Sequence, residues 1–265
     1  MHFPIYLHVG SLRLHPHWIF ETLAYAVAFR FYLWLRHRNG DAIDASGRWW
    51  VIAAAAIGAV IGSKLLYWFE DPRLTLQHLR DPEFLLGGKT IVGALLGGLL
   101  AVEWTKTRLG ITRRTGDLFA LPLCVGIAIG RIGCFLTGIE DHTAGVATSL
   151  PWGVNFGDGV SRHPTQIYEI LFMIVLAAVI SVISRKPYQE GDLFKIFMVG
   201  YFAFRLAVDF LKPDVRVFLG LSSIQLVCLA MLAFYARDVL RWTSGKRQLS
   251  QSAATASLSR HGEAS

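Results

Sequence analysis

Gln166-Ile167-Tyr168-Glu169-Ile170-Leu171-Phe172-Met173-Ile174-Val175-Leu176-Ala177-Ala178-Val179-Ile180-Ser181-Val182-Ile183-Ser184 is a nineteen-residue run with a single carboxylate, Glu169. A helix that crosses a bilayer needs about 20 mostly apolar residues. This run meets that length, and the chain repeats the pattern. Seven spans follow, at about 17–36, 49–69, 84–104, 117–137, 166–184, 193–212 and 216–236. The third is the weakest because it is rich in glycine. Only Pro213 to Val215 separate the last two, so they are expected to form a tight helical hairpin.

Composition agrees. Of the 265 residues, 53% are hydrophobic and only 17% charged, against roughly 25% charged in soluble domains. An ordinary soluble enzyme and a disordered chain are both excluded. The expected fold class is therefore all-α, a polytopic membrane protein with seven transmembrane helices. Residues 1–243 form one helical domain, and 244–265 read as a disordered cytoplasmic tail. The net charge is +7. Its basic residues lie in short stretches between apolar runs, which suits anionic lipid heads better than nucleic acid.

Lysine and arginine counts orient the chain. One set of flanks holds fourteen: Arg36, Arg38, Arg48, Lys106, Arg108, Arg113, Arg114, Arg185, Lys186, Arg237, Arg241, Lys246, Arg247 and Arg260. The other holds five: Arg13, Arg73, Arg80, Arg162 and Arg216. The N-terminus is then outside, the C-terminus cytoplasmic and the long connector 138–165 extracytoplasmic. A membrane crossed several times is the expected location. Cys124, Cys134 and Cys228 sit in apolar segments with no CxxC pair. No disulfide framework, metal or cofactor is expected.

The informative residues are ionisable groups inside spans, since a mid-bilayer charge costs about 2.5–3.5 kcal/mol on insertion scales. Arg30 and Lys195 lie near cytoplasmic boundaries and can snorkel. Lys64 and Lys89 lie nearer the outer face, within reach of lipid phosphate. Arg131 stands between Gly130 and Gly133 late in span four. Arg205 stands mid-span with Asp209 one turn on, on the same helix face. Two intramembrane arginines suit one phosphate, because guanidinium is planar, always charged and bidentate. The residues equally allow structural ion pairs of these arginines with Glu169 or Asp209. Gln166 and Glu169 share a face at the start of span five, after His163 and Pro164.

Four segments, in order, resemble the prolipoprotein diacylglyceryl transferase family. Gly62-Ser63-Lys64-Leu65 resembles its Gly-Ala-Arg-Leu element. Gly130-Arg131-Ile132-Gly133-Cys134-Phe135 resembles its Gly-Arg-x-Gly-Asn-Phe signature. His163-Pro164-Thr165-Gln166-Ile167-Tyr168-Glu169 is similar to its His-Pro-Ser/Thr-Gln-Leu-Tyr-Glu motif, the most specific of the four. Tyr201 to Asp209 is similar to its Tyr-x-x-x-Arg-x-x-x-Glu helix. The resemblance implies transfer of the diacylglyceryl group of phosphatidylglycerol to the lipobox cysteine of prolipoprotein signal peptides, with glycerol phosphate released. Arg131 and Arg205 would hold the phosphate. Tyr201, Gln166 and Glu169 would shape the site, with Gly133, Cys134, Tyr168, Asp209, Lys64 and Lys89 around the lipid.

Departures from the pattern bear on the chemistry. Cys134 replaces the signature Asn, Asp209 replaces the helical Glu, and Val92 stands where the family has a His. The base must then be another group. Candidates are His163, His142 and Glu140, beside or on the outer loop. A different acceptor, an anionic-lipid transporter or flippase, and a non-catalytic lipid-binding protein are the alternatives. A transporter would favour inverted repeats, and the sequence carries no clear repeat.

Overall fold

The computed structural model describes residues 3–10 and 12–244. It is mostly helical. A short hairpin, β1 (Leu7–Val9) with β2 (Leu12–Leu14), leads into α1 (Pro16–Asn39). There follow α2 (Ala45–Glu70), the short α3 (Pro72–Gln77) and α4 (Pro82–Leu86), α5 (Ile91–Leu109) and α6 (Asp117–Thr137). The long connector holds a 3-10 turn, Gly138–Asp141, and a second hairpin, β3 (Val154–Asn155) with β4 (Ser161–Arg162). Then come α7 (Thr165–Ile183), α8 (Asp192–Val208), a 3-10 turn Asp209–Leu211 and α9 (Ser223–Thr243).

Among the described residues seven helices run 17 residues or longer, near the expected positions. Four segments are long and apolar enough to cross a membrane: Ala45–Glu70, Asp117–Asp141, Thr165–Ile183 and Ser223–Thr243. Trp18, Ile57, Leu100, Trp104, Val175, Val182 and Phe234 all stand exposed on long helices. A soluble monomer does not display apolar surface on that scale.

The helical class holds, and two expected span boundaries need correction; two short hairpins are added to the helices. Asn155 builds the second one: its Oδ1 accepts from the backbone N–H of Gly157 (2.9 Å) and Gly159 (3.1 Å). The third span begins later than expected. Thr90 caps α5, accepting from Gly93 N at 3.1 Å, while Asp81 caps a separate short α4. The last two long helices are not joined by three residues. Ser222 and Gln225 form a capping box that starts α9 at Ser223, with fourteen residues between it and the end of α8 at Val208. Caps are local hydrogen bonds, and apolar periodicity does not register them. The tail expected from 244 onward lies, past Ser244, outside the described residues.

Glycine decides how closely two helices pack. α2 runs along α5. A Cβ on Gly62 would lie 2.3 Å from the carbonyl oxygen of Gly93, and one on Gly97 would lie 2.2 Å from that of Gly58. The glycine run that weakened the third span is thus a packing seam. α1 runs along α6 in the same manner. A Cβ on Gly133 would come within 2.7 Å of Phe20 Cβ and 3.4 Å of His17 Cα. α8 lies in the core, with Phe197, Met198, Tyr201 and Phe202 fully buried against Met173 and Cys228.

Candidate functional site

Three helices deliver charge to one point. Arg131 comes from α6, Glu169 from the first turns of α7, and Tyr201 with Arg205 from successive turns of α8. The Glu169 carboxylate receives them all. Its Oε1 accepts from the Tyr201 hydroxyl at 2.7 Å. Its Oε2 lies 2.8 Å from Arg131 Nε and 3.5 Å from Arg205 Nη1. Glu169 is 2% exposed and Arg205 3%. Charges at that depth persist only when paired and hydrogen-bonded.

Asp209 extends the cluster. Its Oδ1 lies 3.5 Å from Arg205 Nη2. Its Oδ2 accepts from the Ser222 hydroxyl and lies 3.8 Å from Arg216 Nη1. Arg216 in turn donates to Gln225 Oε1 at 2.8 Å. Three arginines thus share two carboxylates, and guanidinium groups so gathered suit an anionic group. Asp214, in the loop beyond α8, is pushed up to about 6, by burial above all, against the pull of Lys212 and with the push of Asp209.

The structure therefore brings Arg131, Arg205, Glu169, Tyr201 and Asp209 together. Both structural pairings open to these arginines occur at once. Gln166, one turn before Glu169, is buried; its amide donates to Thr143 Oγ1 at 3.0 Å. Gly133 and Cys134 follow Arg131 on α6, and Arg131 Nη1 lies 3.7 Å from Cys134 Sγ. His163 sits at the mouth of α7, its Nδ1 3.1 Å from the Tyr168 hydroxyl, which accepts from Trp152 Nε1 at 2.8 Å. Its backbone pairs with Gly145 and Val146, so it is anchored to the connector.

The remaining candidates stand apart from the cluster. Glu140 and His142 are exposed on the 3-10 turn and its cap. Lys64 Nζ donates to the carbonyls of Leu86, Gly87 and Gly88, and so ties α2 to the loop before α5. Lys89 pairs with Glu21 of α1. Val92, in place of the family's His, is buried in the apolar core.

Sequence reasoning overlooked a second cluster beside Arg131. His17 Nδ1 lies 2.8 Å from Asp141 Oδ1, and His17 Nε2 lies 3.5 Å from Glu21 Oε2. Ligand atoms of His17, Cys134 and Asp141 lie within 4.8 Å of one another. Two signals were present: the i,i+4 spacing of His17 and Glu21, and the acidic run Glu140-Asp141. The 3-10 turn points Glu140 out and buries Asp141, whose side chain is 8% exposed.

Comparison with known proteins supports the same family. The model of the prolipoprotein diacylglyceryl transferase family matches residues 4–238. A phosphatidylglycerol–prolipoprotein diacylglyceryl transferase of Glaesserella parasuis is 32% identical over 79% of this chain and 79% of its own length. One of Methylobacillus flagellatus is 33% identical over 84% of this chain and 88% of its own. One of Bordetella avium is 34% identical over 83% and 85% respectively. With its arginine cluster set on the segments that carry the family's motifs, the chain belongs to the prolipoprotein diacylglyceryl transferases.

Proposed function

We propose that this protein transfers the diacylglyceryl group of phosphatidylglycerol to the thiol of a lipobox cysteine in a prolipoprotein signal peptide. The observation that carries the reading is the convergence of Arg131 and Arg205 on a single buried carboxylate oxygen. A phosphodiester drawn into that place meets two guanidinium groups already held in position by Glu169 and Asp209. Fixed positive charge in a dry site stabilises a leaving phosphate most where its charge develops. The peptide thiol gives up its proton, and the thiolate attacks the glyceryl carbon. The carbon–oxygen bond to phosphate breaks, and glycerol phosphate leaves on the arginines. His163, at the entrance of α7, is the proposed acceptor of the thiol proton. Tyr201 and Gln166 shape the pocket.

The same proposal sets the topology. All seven long helices cross a bacterial plasma membrane, with the N-terminus outside and the C-terminus in the cytoplasm. The connector 138–165 then faces outward, where signal peptides arrive. The lysine and arginine asymmetry supports this orientation.

The test is transfer in vesicles of phosphatidylglycerol to a lipobox peptide, read by mass. The peptide gains a diacylglyceryl group. Arg131→Ala and Arg205→Ala each lower the rate about 100-fold or more, the scale of one lost oxyanion donor. Full activity in both variants would overturn the assigned roles.

A further inference from the structure

Lys212 closes the 3-10 turn that follows α8, and no step above employs it. Its backbone is fixed on both sides. The Lys212 N–H donates to the Asp209 carbonyl at 3.2 Å, and Arg216 Nη2 donates to the Lys212 carbonyl at 3.5 Å. The connector clamps the same turn. Val146 donates its N–H to the Leu211 carbonyl at 2.7 Å, and its own carbonyl accepts from the His163 N–H at 3.0 Å. Position 145 has no room for a side chain, because a Cβ there would lie 2.8 Å from the Leu211 carbonyl oxygen. The end of α8 and His163 thus flank one stretch of connector.

Lys212 is buried, at 8% exposed. Among the described residues its ammonium has neither a hydrogen-bond partner nor a carboxylate in ion-pair contact. The nearby carboxylates are engaged elsewhere. Glu169 holds Arg131, Arg205 and Tyr201. Asp209 holds Arg205, Ser222 and Arg216. Two like charges, Arg205 and Arg131, act on Lys212 more strongly than Asp214 and Glu169 do. A buried charge persists only when something compensates it. The arginines have their carboxylates and Lys212 has none, so the partner it lacks is an anion set among three cations.

We propose that Lys212 is a direct ligand of the donor phospholipid's phosphate and completes, with Arg131 and Arg205, a cradle of three cations at the C-terminal end of α8. This rests on the donor chemistry proposed above and adds a substrate-binding residue to it. A guanidinium fork takes two oxygens in its own plane, whereas an ammonium is a compact charge with three donors that rotate freely. Lys212 can therefore bind the phosphate oxygen that the two forks leave over. A phosphodiester carries a single negative charge, and the departing monoester carries close to two. The third cation thus counts for more as the carbon–oxygen bond breaks.

The experiment uses the full chain in maltoside micelles. Lys212 is labelled briefly with an amine-reactive acylating reagent and scored by mass. Phosphatidylglycerol is expected to shield it, and diacylglycerol with the same chains is not. Lys212→Met is expected to bind phosphatidylglycerol about tenfold or more weakly, the scale of one charge-assisted hydrogen bond. Without lipid it melts at or above the wild-type temperature, because an uncompensated buried charge is gone. Lys212→Arg keeps binding within about threefold, since the fixed charge stays. Equal shielding by diacylglycerol overturns the proposal. So does shielding by soluble glycerol phosphate as strong as that by the lipid at the same concentration, which makes free phosphate the occupant. A Lys212→Met variant that melts earlier yet holds phosphatidylglycerol as tightly also overturns it, and makes Lys212 a strut to Asp214. The labelling arm uses wild-type protein and stands should Lys212→Met fail to fold. Transfer to a lipobox peptide is read separately. Shielding without transfer leaves the phosphate site standing and overturns the transferase reading; transfer without shielding does the reverse.

Discussion

Arg131 and Arg205 meet at one atom: both guanidinium groups approach Oε2 of Glu169, at 2.8 and 3.5 Å. The two arginines lie on different helices, α6 and α8, and the carboxylate on a third, α7. A single side chain thus sets the separation of two like charges inside an apolar core. Its other oxygen is engaged by Tyr201, so the carboxylate has little freedom to rotate.

Glu169→Gln is expected to be more harmful than loss of one hydrogen bond. The amide keeps the shape but leaves two buried cations facing each other. Breaking one side of a buried ion pair costs about 3–5 kcal/mol. Thermal unfolding in detergent and the peptide transfer assay both check this. Stability equal to wild type would mean that the arginines are hydrated and not held by Glu169.

Adding one methyl group at the α2–α5 seam is expected to destabilise the protein. In Gly62→Ala the new Cβ would lie 2.3 Å from the Gly93 carbonyl oxygen, and in Gly97→Ala 2.2 Å from that of Gly58. The neighbouring atoms are backbone, so the helices themselves must separate. Overpacking of this kind costs about 1–3 kcal/mol. A thermal scan reads it, with Gly110→Ala unsuitable as a control because its φ is +67°.

Asp41, in the loop between α1 and α2, carries a pH-dependent part of the stability. Burial pushes its carboxyl up, but the hydrogen bonds and charge of Arg48, the Ile43 backbone N–H and Arg36 outweigh it. The net position is below the usual carboxylate range. Arg48 is fully buried and also donates to the Thr115 carbonyl at 3.0 Å. A depressed acid stabilises the fold above its unfolded value near 3.9 and loses that contribution as pH falls through the lower folded value. Asp41→Asn should therefore lower the melting temperature at pH 7 and flatten the decline below pH 4. A charge-assisted hydrogen bond is worth about 1.5–3 kcal/mol. An unchanged acid limb in the variant would refute the linkage.

Val92→His does not restore a family-like base. Val92 is 1% exposed in the apolar core, where an imidazole lacks a partner. Burying an unpaired polar group costs roughly 1–3 kcal/mol on mutational evidence. The variant is expected to melt earlier and to gain no transfer rate. A rise in rate would show that the core opens at this position.

Much of the scaffold was legible in the chain. The run from Gln166 to Ser184, and its counterparts, set the long helices because backbone groups in hydrocarbon must bond within their own segment. Arg131, Glu169 and Arg205 were legible for a related reason: an ion inside an apolar run is costly, so its presence asks for a partner. Which partner it meets depends on helices remote in sequence. The sharing of Glu169 by two arginines is set by how α6, α7 and α8 pack. The start of α9 at Ser223 was decided by a capping box, and the hairpin at 154–162 by the amide oxygen-to-backbone bonds of Asn155. The cluster of His17, Cys134 and Asp141 was least visible. It forms because Gly133 lets α1 approach α6, and because a 3-10 turn buries Asp141 while exposing both its neighbours. Periodicity reports the face a residue shares along its own helix; only the fold decides what that face meets.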